Sequence, residues 1–179
     1  MWLAWTVSWL VAAVWSAKTV ARPGVGRQAL NRIVTVLGIV LLFGFYRRLP
    51  DLALWRLGRA LAWFTVGFAA MGLLFTWWAR VHIGRLWSGT ITRKAEHHIV
   101  ETGPYALVRH PIYSGLILAV IATGVQRGTL LAMLGAALVA FSFVVRARLE
   151  EQFLREQLGA QDYDAYARRV PMLVPFTRS

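Results

Sequence analysis

Five stretches of the chain are apolar over helical lengths, and polar or basic stretches separate them. Residues 1–21 are apolar except for Thr6, Ser8, Ser16, Lys18 and Thr19. At about 1.5 Å per residue such a stretch crosses roughly 30 Å of hydrocarbon. A secretory leader carries its basic residues ahead of the apolar run, whereas the first here is Lys18, so the pattern predicts a retained helix. Residues 22–27, with Pro23, Gly24 and Gly26, read as a turn. A second span is expected over residues 29–46, closed by Arg47, Arg48, Pro50 and Asp51, and a third over 57–78, ending on Trp77 and Trp78 at the level of an aromatic belt. Residues 112–125 and 129–145 are the last two, with Pro111 at the favoured first helical position. Only Gln126, Arg127 and Gly128 separate them, so they form an antiparallel hairpin. Leu149 to Leu158 continues as polar helix, with Gly159 as its C′ residue.

This pattern predicts an all-α integral membrane protein with five transmembrane helices, a C-terminal hairpin among them. Residues 1–179 form one transmembrane domain, and residues 1–56 contain two helices without a motif. Residues 79–110 cannot span: they hold Arg80, Arg85, Arg93, Lys94, Arg109 and all four histidines. Five helices put the termini on opposite sides. With the 79–110 loop and the tail in the cytosol, 15 of the 20 basic residues lie there. Arg47, Arg48, Arg56, Arg59 and Arg127 remain outside, so the positive-inside rule places the N-terminus outside and the polar clusters at the cytosolic face.

Composition changes the picture in two ways. Hydrophobic residues are 58% and charged residues 16%, with a mean hydropathy of +0.52, which excludes a disordered chain and an ordinary soluble domain. The net charge of +12 would suggest nucleic acid in a soluble protein; on an apolar chain it is read as topology and attraction to anionic headgroups. Cysteine is absent, which removes disulfides, thiolate metal sites and cysteine nucleophiles. His97 and His98 are adjacent, so they cannot ligate one metal from one helix face, and no metal site is expected. Neither a Rossmann fingerprint nor a P-loop is present, and Ser114 lacks the setting of a hydrolase nucleophile.

Polar residues concentrate in two places. In Gly103-Pro104-Tyr105-Ala106-Leu107-Val108-Arg109-His110-Pro111-Ile112-Tyr113-Ser114-Gly115, Arg109 and His110 precede a helix whose first N–H groups lack partners. A guanidinium, an imidazole and backbone donors there can hold an anion, either a specific ligand or a lipid phosphate. In Arg146-Ala147-Arg148-Leu149-Glu150-Glu151, Arg146 and Glu150 share one helix face and Arg148 and Glu151 another. These are either exposed ion pairs worth about 0.3–0.5 kcal/mol each or a site in which one carboxylate receives a cationic or hydroxyl group and an Arg an anionic one.

The run GPYALVRHPIYSG, followed by RLEEQFL and then by YDAYARRVPMLVPF, resembles the isoprenylcysteine carboxyl methyltransferase family over residues 79–176. That resemblance implies a small membrane methyltransferase using S-adenosylmethionine, bound between the last helices and a cytosolic loop and tail that cap it. Carried over by position, it nominates His98, Gly103, Tyr105, Arg109, His110, Pro111, Tyr113, Gly115 and Glu151 for the donor. It nominates Arg146, Glu150 and Glu151 for catalysis and Arg146 and Arg148 for the acceptor. Tyr163, Tyr166 and residues 171–176 resemble the family's closing tail. The expected partners are the bilayer and an amphiphilic acceptor, with no nucleic acid. The other readings are an NADPH-dependent membrane sterol-type reductase, whose C-terminal region carries a similar motif, and a non-enzymatic membrane protein.

Overall fold

The computed structural model describes residues 1–14, 19–21, 25–44, 53–87, 93–94, 99–158 and 160–177. Their elements run α1 (Trp2–Ala13), β1 (Thr19–Ala21), α2 (Val25–Phe43), α3 (Arg59–Ile83), β2 (Arg93–Lys94), α4 (Pro104–Leu107), α5 (Pro111–Arg127), α6 (Leu130–Leu158) and α7 (Ala160–Arg169). A 3-10 turn, Gly84–Leu86, follows α3. The expected all-α architecture holds apart from one short antiparallel ribbon, in which Thr19 pairs with Lys94 and Ala21 with Arg93.

The helices pack side by side. α3 lies on α5, α5 on α6, and α6 on α2. Small residues make two of these crossings possible. A Cβ placed on Gly115 would stand 2.5 Å from the Gly72 carbonyl oxygen and 2.8 Å from Thr76 Cγ2. One placed on Gly135 would stand 2.6 Å from the Gly38 carbonyl oxygen. Without a hydrophobic drive between helices in lipid, such close backbone approach is what gains dispersion energy. Leu73, Leu116 and Ala119 fill the α3–α5 seam, and Leu42, Val120, Ala132, Ala136 and Val139 fill the seams of α6. Gly128, at φ +62°, ends α5 in the left-handed conformation and makes the tight hairpin turn that the sequence predicted.

The first expected span needs correction. The helix stops at Ala13, and residues 19–21 are extended rather than helical. Twelve residues cover only about 18 Å. α1 is instead pinned by indoles: Trp2 Nε1 donates to Thr123 Oγ1 on α5 at 3.0 Å, and Trp5 Nε1 to Thr76 Oγ1 on α3 at 2.8 Å. Buried Arg80 closes its far end, donating to the Ala12 carbonyl at 2.7 Å while lying 4.6 Å over the Trp87 ring. Trp2 and Trp5 sit at i, i+3 on one face of α1, and α3 presents Thr76 and Arg80 at i, i+4, so tertiary bonds, not hydropathy, set where α1 lies.

Among the described residues, two helical segments, Arg59–Leu86 and Leu130–Glu156, are long and apolar enough to cross a bilayer. Leu61, Trp63, Phe64, Phe68, Leu74 and Trp78 of α3 and Leu134 and Phe141 of α6 face outward. An apolar exterior of that extent suits lipid and not water. α3 runs further than expected, to Ile83, and α6 carries straight on from the expected fifth span through Arg146, Glu150 and Glu151 to Leu158. The tail, for which the sequence pattern predicts no helix, contains the helix α7.

Candidate functional site at the end of α6

The site is assembled from the start of α5, the polar end of α6 and the chain after α7. Pro111 begins α5 and His110 is its N-cap. From there one helical turn places His110, Tyr113 and Ser114 on a common side. The His110 and Tyr113 rings stack at 5.4 Å between centroids and 7° between planes. Phe143 of α6 also stacks on Tyr113, at 5.3 Å. Below this aromatic column lie the two glutamates, engaged by different partners.

Glu150 receives the Tyr113 hydroxyl at 2.6 Å, and that hydroxyl accepts from Arg146 Nε at 2.9 Å. The Arg146 guanidinium also lies 5.6 Å from the centre of the Tyr113 ring. Glu151 Oε1 receives Arg109 Nε at 2.7 Å and pairs with His110 Nε2 at 3.2 Å, and its Oε2 lies 3.9 Å from Arg155. The Arg109 and Glu151 side chains are only 8% and 7% exposed, so this is a buried ion pair rather than a solvated one. Arg155 in turn binds Asp164 of α7 at 2.7 Å.

The segment after α7 closes over the start of α5. Arg109 N donates to the Pro171 carbonyl at 2.9 Å and His110 N to the Met172 carbonyl at 3.1 Å. Ser114 Oγ donates to the Leu173 carbonyl at 2.6 Å. Arg109 Nη1 donates to the carbonyls of Ala167 at 2.8 Å and Val170 at 2.5 Å. On the near side, the Tyr166 hydroxyl donates to the Tyr105 carbonyl at 2.7 Å.

Of the residues nominated from sequence, the structure brings Arg109, His110, Pro111, Tyr113, Arg146, Glu150 and Glu151 together. Tyr105 stands behind them, against Tyr166, and its ring stacks on His82. Gly103 adopts φ +57° and leaves no room for a side chain, since a Cβ would meet the His82 ring at 2.7 Å. Gly115 serves the α3 crossing. Arg148 is exposed and lies about 200° around α6 from Arg146. His98 falls outside the described residues. Among those residues, no group of three His, Asp or Glu side chains converges to hold a metal.

Sequence reasoning missed four participants. Phe143 is three before Arg146 on the same face, which was a readable signal. Ser114 was set aside as a nucleophile although its spacing from His110 suits a hydrogen bond to the chain. Asp164 and the carbonyls of residues 167–173 left no signal, because their role depends on where α7 docks.

The three tyrosines outside the spans carry a pH prediction. Burial pushes the phenols of Tyr105, Tyr163 and Tyr166 above their ordinary value of 10.0, and neighbouring Glu151 adds to this for Tyr163. Below pH 10 they are neutral whether α7 is docked or free, so their contribution to docking is intact. Above pH 10 a freed α7 loses these protons first, and docking weakens as pH rises. A tyrosinate absorbance titration, compared with Tyr163→Phe and Tyr166→Phe, is expected to show these phenols ionising late and together with loss of helix. Ionisation near pH 10 with the fold intact would contradict the docking of α7 by these rings.

The fold and site define a helical membrane protein with a buried ionic and aromatic cluster where its apolar helices turn polar. Residues 65–156 match the family model of the isoprenylcysteine carboxyl methyltransferase (ICMT) family. The chain belongs to that family. Protein-S-isoprenylcysteine O-methyltransferase B of Arabidopsis thaliana is 38% identical over 86 residues, 47% of this chain and 43% of the relative. Methanethiol S-methyltransferase 1 of Bradyrhizobium diazoefficiens is 33% identical over 156 residues, 80% of this chain and 52% of the relative. The nickel-cobalt-cadmium resistance protein NccN of Alcaligenes xylosoxydans xylosoxydans is 30% identical over 115 residues, 63% and 52% of the two. The chain thus spans about half the length of these relatives, or less.

Proposed function

We propose that this protein is a membrane methyltransferase that takes its methyl group from S-adenosylmethionine and passes it to an amphiphilic acceptor at the cytosolic face. In this reading the 79–110 loop and the tail lie in the cytosol. The observation that carries the proposal is the placing of two glutamates, two arginines and the His110–Tyr113–Phe143 column at the polar end of α6, whose preceding turns are apolar. The residues present fit the donor. It is a zwitterion with a sulfonium, and when bound it supplies an electrophilic methyl group.

Glu150 offers a carboxylate to the donor's ammonium or ribose hydroxyls, with Tyr113 fixing the direction of that carboxylate. The faces of His110, Tyr113 and Phe143 can hold a cation without hydrating it, which keeps the reacting centre dry. Arg146, on the same side of α6 as Glu150, orients the carboxylate or phosphate of the acceptor, while Glu151 and its partners hold the frame. Methyl transfer is an in-line displacement, so catalysis rests mainly on positioning. A carboxylate acceptor needs no base; an amine must lose a proton, which Glu150 can receive.

The acceptor enters from the bilayer. A charged donor needs a cytosolic port, but a tailed acceptor cannot leave the lipid, and most of this chain is invested in apolar helix. A second reading, a small thiol acceptor, is favoured by the long match to the methanethiol S-methyltransferase. One experiment separates them. Purified protein with isotopically labelled S-adenosylmethionine is offered acceptors with one headgroup and tails of increasing length. Each buried methylene is worth up to about 0.8 kcal/mol, so kcat/KM should climb several-fold per step. A flat profile with turnover of a tail-less thiol rejects lateral entry, and no turnover with any acceptor rejects the enzyme.

A further inference from the structure

We infer that Arg109 is a positioning residue, not a contact to the methyl donor: it fastens the segment after α7 to the start of α5 and so sets the direction of Glu151 and His110. The inference rests on the reading of the site given above, and it reverses the role that the sequence suggests for Arg109.

The guanidinium is committed in three directions. Its Nε reaches Glu151 on α6, and its Nη1 reaches two carbonyls at the end of α7. The planar fork reaches the carboxylate from one nitrogen and the two carbonyls from another, whereas an ammonium has all its donors on a single nitrogen and must draw the three acceptors around one point. The side chain is almost wholly buried by these partners. The backbone around it is committed as well. The N–H groups of Arg109 and His110, which the sequence offers as an anion cradle, already bind the carbonyls of Pro171 and Met172. Ser114 adds Leu173 one turn further on. The chain's own C-terminal carbonyls therefore fill the place where an anionic ligand was expected.

The consequence reaches the reacting side of the site through one atom. Glu151 Oε1 is shared between Arg109 and His110. With Arg109 in place, that oxygen also holds the imidazole parallel to Tyr113. If the fastening opens, Glu151 turns, His110 loses its anchor, and the column of rings that faces the donor loses its order.

The test compares full-length wild type, Arg109→Gln, Arg109→Lys and Ser114→Ala in the same lipid nanodiscs, using hydrogen exchange without ligand and calorimetry with S-adenosylmethionine. In Arg109→Gln, amides of residues 105–114 and 166–173 are expected to exchange faster together, by about ten- to a hundredfold, the scale of a lost charged hydrogen bond. Arg109→Lys keeps the charge but not the fork, so it is expected to behave like Arg109→Gln. Ser114→Ala is expected to open the same two segments to a smaller degree. Donor affinity should fall in the order of the exchange increase.

Weaker donor binding with unchanged exchange, or rescue by lysine, makes Arg109 a direct contact and overturns the inference. Faster exchange at unchanged donor affinity overturns it too. If Arg109→Gln does not fold, the same correlation is read from Arg109→Lys and Ser114→Ala. A wild type that binds no S-adenosylmethionine rejects the functional reading of the site, and the exchange comparison alone then decides whether Arg109 fastens the segment.

Discussion

Replacing Glu151 with alanine is expected to destabilise the protein by about 3–5 kcal/mol, the cost of stripping one partner from a buried ion pair. The side chain lies inside the assembled site and binds Arg109, His110 and Arg155. Removing the carboxylate leaves the Arg109 charge nearly buried with only carbonyls to face. The cost is a property of the charge left behind, so removing both partners should be cheaper than the sum of the single changes. Unfolding in mixed micelles of wild type, Glu151→Ala, Arg109→Met and the double variant forms a cycle that isolates this coupling. A loss below about 1 kcal/mol in Glu151→Ala, the range of a solvated pair, would show that the pair is not shielded from solvent.

Gly115→Val is expected to lose the α3–α5 crossing and the site with it. Its side chain would meet the Gly72 carbonyl and Thr76. A backbone oxygen in a helix cannot swing aside, so the helices must separate. Overpacking of this kind costs about 1–3 kcal/mol, and the separation forfeits dispersion along the whole seam. α5 carries Tyr113 two residues earlier, so the separation also breaks the contacts to Glu150 and Arg146. Gly67→Val is the control: it lies on α3, the partner helix of that crossing, and a Cβ there meets nothing within 4 Å. The melting temperature and donor affinity of the two variants check the contrast. A Gly115→Val protein as stable as Gly67→Val would mean that α3 and α5 stand further apart.

Much of this site was legible because its chemistry is local. His110, Pro111 and Tyr113 follow one another within a turn, and Arg146 and Glu150 share a helix face by spacing alone. α3, α5 and α6 were legible for a similar reason, since long apolar runs have little choice but to be helices. α1 was misjudged because a run of apolar residues reports hydropathy and not length. Its tryptophans needed Thr76 and Thr123 as partners, 71 and 121 residues away, and no local pattern announces such bonds. Arg148 was nominated through the family resemblance, while the spacing by itself already put it on a different helix face from Arg146, about 200° around α6.

What the sequence by itself determined is the set of elements and the inventory of charges: apolar helices, a Pro-started α5, and arginines and glutamates where α6 turns polar. Hydrogen-bond periodicity and hydropathy act between near neighbours, and near neighbours are written in order. What only the tertiary structure decided is the partner of each charge. Glu150 pairs with Tyr113 while the adjacent Glu151 pairs with Arg109 and His110, because α5 meets α6 at one register, where Gly124 of α5 lets Ala132 and Ala136 of α6 come close. Arg109 turns to the chain's own carbonyls because α7 folds back across the start of α5. A guanidinium, an imidazole and a helix start bind whatever acceptor packing brings within about 3 Å, and packing between distant segments is not written in the order of the residues.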